Sequence, residues 1–172
     1  MSFTISKATF QDVDQLNELV NSAYRGNSSR QGWTTEADLL DGTRTTPDLI
    51  AELLGKPNTT ILKYVESGQL LACVELRKDA DKLYLGMLTV SPTLQGKGIG
   101  NVLLKAAESE AKAHGCNKIY MTVISVRESL IAWYKRHGYE ETGERKPFAV
   151  PDTRWGVPKQ PLEFIVLQKS IS

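Results

Sequence analysis

The sequence predicts an α+β (α/β) fold with a mixed central β-sheet of about six or seven strands and helices on both faces. Three observations predict it. Runs rich in β-branched and apolar residues alternate with runs of helical periodicity. Residues 59–78 contain two strand-like runs around Glu66-Ser67-Gly68, which indicates a hairpin. A helical run joins residues 82–90 to residues 117–125, and such a crossover favours parallel pairing of the two strands.

Length and composition indicate one soluble globular domain spanning residues 1–172. Hydrophobic residues make up 41% and charged residues 24%, which argues against a disordered or fibrous chain. The formal net charge of +1 gives no basic excess for binding nucleic acid or anionic membranes, so neither is an expected partner. No apolar stretch approaches the roughly 20 residues that cross a bilayer, and the start has no secretory pattern. The expected location is the cytoplasm.

The N-terminal third is predicted to form one strand and three helices. "FTISKA" is typical of an edge strand, and Thr9 can cap a helix that ends near Tyr24. After the loop "RGNSSRQGW", the pattern of residues 34–42 ("TTEADLLDG") favours a short helix that stops at Gly42. A third helix follows in "TTPDLIAELLGKP", with Thr46 as cap, Pro47 at its first position and Gly55 at its end.

The remaining elements follow in the same way. The strand "KLYLGMLTV" ends near Val90, because Pro92 lacks the N–H that a strand interior needs. Residues 100–114 show helical spacing and are followed by Gly115. "NKIYMTVIS" is a strand, "ESLIAWYKRHG" a short helix, "YEETGE" a further strand, and "LEFIVLQK" the last strand after the long loop "RKPFAVPDTRWGVPKQP".

A glycine-rich loop, "VSPTLQGKGIG" at residues 90–100, stands between a strand and a helix. Free N–H groups and the helix dipole favour a phosphate at such a place, although glycines also serve merely to turn the chain. A P-loop is excluded because Lys97 is followed by Gly98 and not by Ser or Thr. A dinucleotide fingerprint is excluded because Leu103 stands where its third glycine would be.

The loop matches Gln-x-x-Gly-x-Gly as Gln95, Gly98 and Gly100, preceded by Val-x-Pro at Val90 and Pro92. Further along, "AWYKRHGYEETGE" matches a Tyr-x-x-x-Gly-Tyr segment. Together these motifs resemble the GNAT superfamily of acyl-CoA-dependent N-acyltransferases, most strongly over residues 82–144. The resemblance implies a GNAT-like sheet in which a bulge splays the fourth and fifth strands apart and opens a cleft for the thioester.

The resemblance also implies how coenzyme A is held. Backbone groups of Leu88 and Val90 would pair with the pantetheine arm, while core packing alone is the alternative for both. Arg127 stands where many members carry a cofactor-binding Asn, and it could approach a phosphate or the substrate; capping of a helix by Ser125 is the simpler account of that stretch. The amides assigned to the pyrophosphate are those of Gln95, Gly96, Lys97, Gly98, Ile99 and Gly100.

Two catalytic residues are expected. Tyr134 matches the family's general acid, and a phenol, with an ordinary pKa near 10, stays protonated at pH 7 and can donate to a departing thiolate. A packed helix tyrosine is the alternative. The acceptor amine, with an ordinary pKa near 10.4, must lose a proton before it attacks. Glu75, on the same strand face as Cys73, is the candidate base; the alternative is a carboxylate that is merely solvated. His137 is a weaker candidate for the base.

Substrate specificity in the family usually comes from the segment after the first helix and the loop before the last strand. Here these segments carry aromatic and cationic side chains that suit an acceptor with a carboxylate as well as an amine. Acidic residues in the first segment would attract a cation, or would simply form a solvated helix start. The candidate substrate-binding residues are Arg30, Trp33, Tyr84, Arg154 and Trp155, with Tyr84 also able to position water.

The expected function is therefore an N-acetyltransferase that moves acetyl from acetyl-CoA to a primary amine of a small molecule or peptide by direct attack in a ternary complex. No metal is expected, because Cys73 and Cys116 lack metal-ligand spacing. Cys73 as an acyl carrier is an alternative to direct attack, but a buried structural thiol suits a strand cysteine better. A non-catalytic acyl-CoA-binding regulatory module is the alternative, and an ATP-using phosphotransferase a third. A homodimer is a further expectation.

Overall fold

A computed structural model describes residues 3–24, 40–41, 45–94, 96–147, 157–158 and 163–171. Within these residues the chain forms a seven-stranded sheet, four α-helices and a separate pair of two-residue strands. The strands of the large sheet are β1 (Phe3–Lys7), β2 (Thr59–Glu66), β3 (Gln69–Asp79), β4 (Lys82–Val90), β5 (Lys118–Ile124), β6 (Glu140–Pro147) and β7 (Glu163–Ser170). The helices are α1 (Val13–Tyr24), α2 (Pro47–Leu54), α3 (Ile99–Ala113) and α4 (Glu128–Arg136).

The large sheet has the strand order β1-β2-β3-β4-β5-β7-β6. Strands β4 and β5, which α3 connects, are parallel, and the other neighbouring pairs are antiparallel. The predicted mixed sheet of about seven strands is thereby confirmed, as is the parallel pair. A crossover helix between adjacent strands imposes this arrangement because it carries the chain back to the end of the sheet at which the first strand began.

The capping residues begin and end the helices where the sequence indicates. The Thr46 hydroxyl accepts a hydrogen bond from the Leu49 N–H at 3.2 Å, Pro47 occupies the first turn of α2, and Gly55 is its C-cap. At the start of α1, a 3-10 turn precedes the helix, and Thr9 and Asp12 form a reciprocal capping box. These contacts satisfy N–H groups that would otherwise lack partners within the helix.

The helix predicted over residues 34–42 is wrong at its C-terminal end. Leu40–Asp41 forms a two-residue strand that pairs antiparallel with Val157–Pro158. The tertiary pairing overrides the local helical pattern, as it can for any short segment whose propensity is weak. The rest of that predicted helix lies outside the described residues. The predicted loop before the last strand is also shorter than expected, because β6 extends to Pro147.

Helices cover both faces of the sheet. On one face, α1 and α2 pack their apolar side chains against Ile61, Cys73 and Met87. On the other face, α3 and α4 contribute to a larger core with Val74, Leu85 and the inward residues of β5 and β7. In the part of the chain described here, no helix combines the length and the apolar character needed to cross a membrane.

Candidate active site

Strands β4 and β5 separate soon after they begin to pair. Their register runs through Lys82–Lys118, Leu83–Ile119 and Tyr84–Tyr120. The remaining part of β4 continues to pair with β3 and no longer with β5. A V-shaped opening therefore starts beside Tyr84 and widens towards Val90, as the sequence resemblance implies for the fourth and fifth strands.

A β-bulge in β4 lies at the narrow end of this opening. Glu75 faces Gly86 and Cys73 faces Thr89, so Val74 alone lies opposite both Met87 and Leu88. Met87 has a φ of 52°, in the left-handed region that an L-residue with a long side chain seldom adopts. A bulge of this kind bends its strand, and β4 and β5 are no longer paired at these residues.

The bulge also reverses which residues of β4 face each layer of helices. Before the bulge, Leu83 and Leu85 pack into the core shared with α3 and α4. After it, Met87 packs with α1 and α2, whereas Leu88 and Val90 pack against the α3 and α4 side. One inserted residue shifts the alternation of a strand by one position, which is why the even-numbered residues now line the opening.

A pocket of about 450 Å³ lies between the end of β4, the glycine loop, α3 and α4. It brings together seven of the residues that the sequence assigns to the site: Leu88, Val90, Gly96, Gly98, Ile99, Gly100 and Tyr134. Lys97 lies in the same loop and is exposed. Gln95 lies outside the described residues. Arg127 is buried at the N-cap position of α4 and does not line this pocket, so its contact with a cofactor stays a prediction.

The glycine loop presents backbone amides at one end of the pocket. Gly96 and Gly98 have φ values of 87° and 83°, and a Cβ built on either would meet no atom within 4 Å. Gly98 is the N-cap of α3 and makes no side-chain capping bond, so the first-turn amides are not occupied by a capping side chain. Three features together suit a phosphate: the open space beside the loop, the first-turn amides without a capping side chain, and the positive end of the helix dipole.

Trp133 is a pocket residue that the sequence interpretation missed. A Cβ on Gly100 would lie 3.1 Å from the indole ring of Trp133, so the glycine permits α3 and α4 to approach closely at the mouth of the loop. The Trp133 carbonyl lies 2.8 Å from His137 Nδ1, and the two rings are 4.3 Å apart. Its position one residue before Tyr134 was a usable signal. The other lining residues missed are Leu94, Asn101, Ser129, Leu130 and Arg136, and the pocket also includes His137, the weaker candidate base.

Tyr134 is buried on α4 and lines the pocket opposite Leu88 and Val90. Its ring packs edge-on against Trp133, with centroids 5.1 Å apart, and against Tyr139, with centroids 5.8 Å apart. Tyr139 is equally buried but does not line the pocket, and burial together with the charge of Glu108 raises the pKa of its hydroxyl above the ordinary value. Of these two adjacent phenols, only Tyr134 lines the pocket.

Glu75 lies on the opposite face of the sheet. Its partner on β2 is Ile61, which packs with α1 and α2, and its partner on β4 is Gly86, next to the bulge. The side chain is buried, so the alternative of a solvated carboxylate is wrong. One oxygen lies 3.8 Å from Nη1 of Arg77, the next residue along the same face of β3. A buried carboxylate thus stands beside the point where β4 and β5 separate.

Two tyrosines extend this second face. The Arg77 guanidinium lies 4.5 Å from the centre of the Tyr84 ring, and the rings of Tyr84 and Tyr120 are 5.5 Å apart. Tyr120 donates to Asp79 Oδ2 at 2.8 Å, and burial, followed by this carboxylate, raises the pKa of Tyr120 to about 12. Tyr120 therefore stays protonated at neutral pH, and Arg77 links the Tyr84 ring to Glu75.

The other predicted substrate-binding residues lie outside the described residues. They are Arg30, Trp33, Arg154 and Trp155. The pairing of Leu40–Asp41 with Val157–Pro158 nevertheless joins the two segments that contain them. Among the described residues there is also no group of three or more His, Cys, Asp or Glu side chains close enough to hold a metal ion.

Comparison with known proteins agrees with this geometry. The chain is 29% identical over 150 residues to an IAA acetyltransferase from Azospirillum brasilense, and the match covers 86% of each chain. In fold it is similar to the ribosomal-protein-S18-alanine N-acetyltransferase from Escherichia coli, with a TM-score of 0.72, 18% identity, and coverage of 99% of this chain and 95% of that one. A PaiA N-acetyltransferase from Thermoplasma acidophilum, solved in complex with coenzyme A, gives a TM-score of 0.70 at 18% identity and covers 99% and 100%.

A family model described as the acetyltransferase (GNAT) family matches residues 14–139. This range includes the strand and glycine loop of the opening, Tyr134 on α4, and Glu75 on the second face. The fold, the splayed strands and the family match lead to the same assignment. The chain belongs to the GNAT family of acetyltransferases.

Proposed function

We propose that this protein transfers the acetyl group of acetyl-CoA to a primary amine of a small molecule or peptide, by direct attack in a ternary complex. One arrangement carries the proposal: a pocket that runs from the amides of the glycine loop, along the splayed end of β4, to the hydroxyl-bearing ring of Tyr134. Acetyl-CoA supplies an activated acetyl thioester when it is bound there.

The chain's own groups suit the elongated donor at each position. Amides at the start of α3 and the exposed Lys97 ammonium face the diphosphate, with Gln95 assigned to the same loop. The separation of β4 from β5 leaves room beside the main chain of Leu88 and Val90 for the amide groups of the pantetheine arm. The apolar side chains along the pocket exclude water from the thioester.

Tyr134 donates its phenolic proton to the sulfur as the carbon–sulfur bond breaks. Its ring is held by Trp133 on one side and Tyr139 on the other, so the direction of its C–O bond is set before any ligand arrives. General acid catalysis by a positioned side chain contributes about 10²- to 10⁴-fold in rate.

Glu75 receives the proton that the ammonium form of the acceptor must lose, directly or through water. Only about one amine in a thousand is neutral at pH 7 when the amine has an ordinary pKa near 10.4. A carboxylate next to the separation point of β4 and β5 lies on the face opposite the donor pocket, so the amine and the thioester approach from different sides.

Binding and turnover measurements on the purified protein test the proposal. We expect titration calorimetry to detect coenzyme A and acetyl-CoA, and Mg-ATP not to compete. Thiol release from acetyl-CoA should increase with at least one member of a panel of primary amines. Tight binding of acetyl-CoA with no turnover on any amine, and no effect of Tyr134→Phe on thiol release, would instead identify a non-catalytic acyl-CoA-binding module.

A further inference from the structure

Gly86 occupies a position on β4 that has no room for a side chain. A Cβ built on Gly86 would lie 2.7 Å from the hydroxyl oxygen of Tyr84, 2.7 Å from Cε2 and 2.9 Å from Cζ of the same ring. Real Cβ atoms essentially never approach another heavy atom so closely. The Tyr84 ring therefore lies flat along its own strand and covers Gly86.

The backbone at Gly86 gives no other reason for a glycine. Its φ is not positive, unlike that of Gly96 or Gly98, and the left-handed residue of the bulge is the neighbouring Met87. Alanine would fit this backbone without conformational strain. The requirement for glycine is thus steric, and it comes from Tyr84.

The same contact brings the Tyr84 hydroxyl close to the candidate base. Gly86 is the β4 partner of Glu75, and directly opposed residues on one face of a sheet have Cβ atoms about 5 Å apart. The Tyr84 hydroxyl oxygen lies 2.7 Å from the place that a Gly86 Cβ would occupy, which puts it on the side of β4 that faces Glu75 across the strand pair. Arg77 over the ring and Tyr120 beside it hold the ring in this orientation.

We propose that Gly86 is a positioning residue for the acceptor amine. Its missing side chain lets the Tyr84 hydroxyl lie next to Glu75 at the separation point of β4 and β5, where the hydroxyl oxygen accepts a hydrogen bond from the amine and orients it. Glu75 takes the proton that the amine loses, and Tyr84 transfers none. This inference rests on the proposed transfer to an amine, and it adds the residue that fixes where the amine is held.

A double-mutant cycle tests this inference. The variants are Gly86→Ala, Tyr84→Ala, the double variant and Tyr84→Phe, assayed for acetyl transfer to the amine that the wild-type protein uses best. Tyr84→Phe should lower kcat/KM for the amine about tenfold, the usual worth of one hydrogen bond to a charged partner. Gly86→Ala should lower it at least as much. In the Tyr84→Ala background, Gly86→Ala should change it less than about twofold, because the ring it displaces is gone.

Two controls separate this role from general damage. The affinity for acetyl-CoA, measured by titration calorimetry, should be the same in all variants within about twofold. Gly55→Ala is the matched glycine substitution, because Gly55 also has negative φ and an added Cβ there would meet other atoms only at 3.5 Å or more. It should leave kcat/KM unchanged.

The outcomes are distinct. An equal loss from Gly86→Ala with and without the Tyr84 ring would overturn the inference, as would full activity of Tyr84→Phe. In either case, acetyl transfer that Tyr134→Phe slows would still support the proposed function. If the wild-type protein binds acetyl-CoA but acetylates no amine, the proposed function fails and the inference falls with it.

Discussion

Tyr84 and Tyr120 are the last residues of β4 and β5 to pair with each other, and their rings lie 5.5 Å apart. Beyond this pair the strands diverge, with the pocket of Tyr134 on the side of α3 and α4 and the buried Glu75 on the side of α1 and α2. A donor and an acceptor that enter from opposite faces would meet at this point. Such a meeting point is what the proposed direct attack requires.

Tyr134→Phe should reduce kcat by about 10²- to 10⁴-fold, because the departing thiolate loses its proton donor. The affinity for acetyl-CoA should change little, since the ring and its packing against Trp133 are kept. Stopped-flow thiol detection measures the rate, and calorimetry measures the affinity. A variant with wild-type kcat would remove Tyr134 from the mechanism.

Tyr139→Phe is the matched control for that substitution. Tyr139 packs against Tyr134, yet its hydroxyl is buried without a hydrogen-bond partner among the described residues, and it lies outside the pocket. We expect kcat within about twofold of wild type, and a free energy of unfolding higher by about 1 kcal/mol, because an unsatisfied buried hydroxyl is removed. Urea unfolding measures the second quantity.

Gly98→Ala should weaken acetyl-CoA binding at least about tenfold. An alanine in the left-handed conformation of Gly98 costs about 1–2 kcal/mol, and relief of that strain would move the amides that we assign to the diphosphate. Gly98→Asn should lose less, because asparagine adopts this conformation more readily. Equal affinities for all three proteins, measured by calorimetry, would argue against a role for the conformation of this loop.

Glu75→Gln should lower kcat/KM for the amine by about 10²- to 10⁴-fold at pH 7. The loss of kcat/KM should shrink as the pH rises towards about 9. The neutral fraction of the amine grows tenfold with each pH unit below its pKa, so the reaction then depends less on a base. Initial rates across this pH range measure the effect. A deficit of constant size would indicate that Glu75 supports the structure and does not accept the proton.

Asp12 links helix capping to stability in acid. Burial tends to raise the pKa of its carboxyl, but the Thr9 N–H at 2.8 Å and the Lys63 ammonium at 3.0 Å outweigh this and hold the pKa below its ordinary value. A lowered pKa stabilises the fold above the ordinary value near 3.9, and the contribution disappears as the pH falls through the lowered one. Asp12→Asn should therefore lose about 1 kcal/mol at pH 7, the usual worth of a helix cap.

The pH dependence checks this assignment. Urea unfolding of wild type and Asp12→Asn should give different midpoints at neutral pH and nearly equal midpoints at about pH 2, where the wild-type carboxyl is also uncharged. Asp48→Asn is a control, because Asp48 also lies in a first helical turn and forms no ion pair among the described residues. A difference that persists in acid would mean that the side chain acts by packing.

Much of the fold could be predicted because its signals are local. The ends of α2 follow from Thr46, Pro47 and Gly55, whose chemistry acts within one turn, and the parallel pair follows from the helix that joins β4 to β5. The helix predicted around Leu40 failed because its real partner lies more than a hundred residues further along the chain. Local propensity contains no information about such a partner.

The candidate site could be predicted in part for the same reason. The glycine loop and Tyr134 belong to compact motifs, and the structure places them in one pocket. The bulge could not be located, because its distorted residue is Met87 and nothing in its side chain signals positive φ. The contacts of Trp133 with Gly100 and of Tyr84 with Gly86 could not be predicted, because each depends on how a ring lies over a glycine.

The central claim is that acetyl passes from acetyl-CoA to the nitrogen of an amine with Tyr134 as proton donor. The most direct test incubates the purified protein with isotope-labelled acetyl-CoA and a panel of amines, and detects the products by mass spectrometry. The account predicts a labelled N-acetyl product for at least one amine, formed at least about 10²-fold more slowly by Tyr134→Phe and at the wild-type rate by Tyr139→Phe. Bound acetyl-CoA with no N-acetyl product from any amine would contradict it.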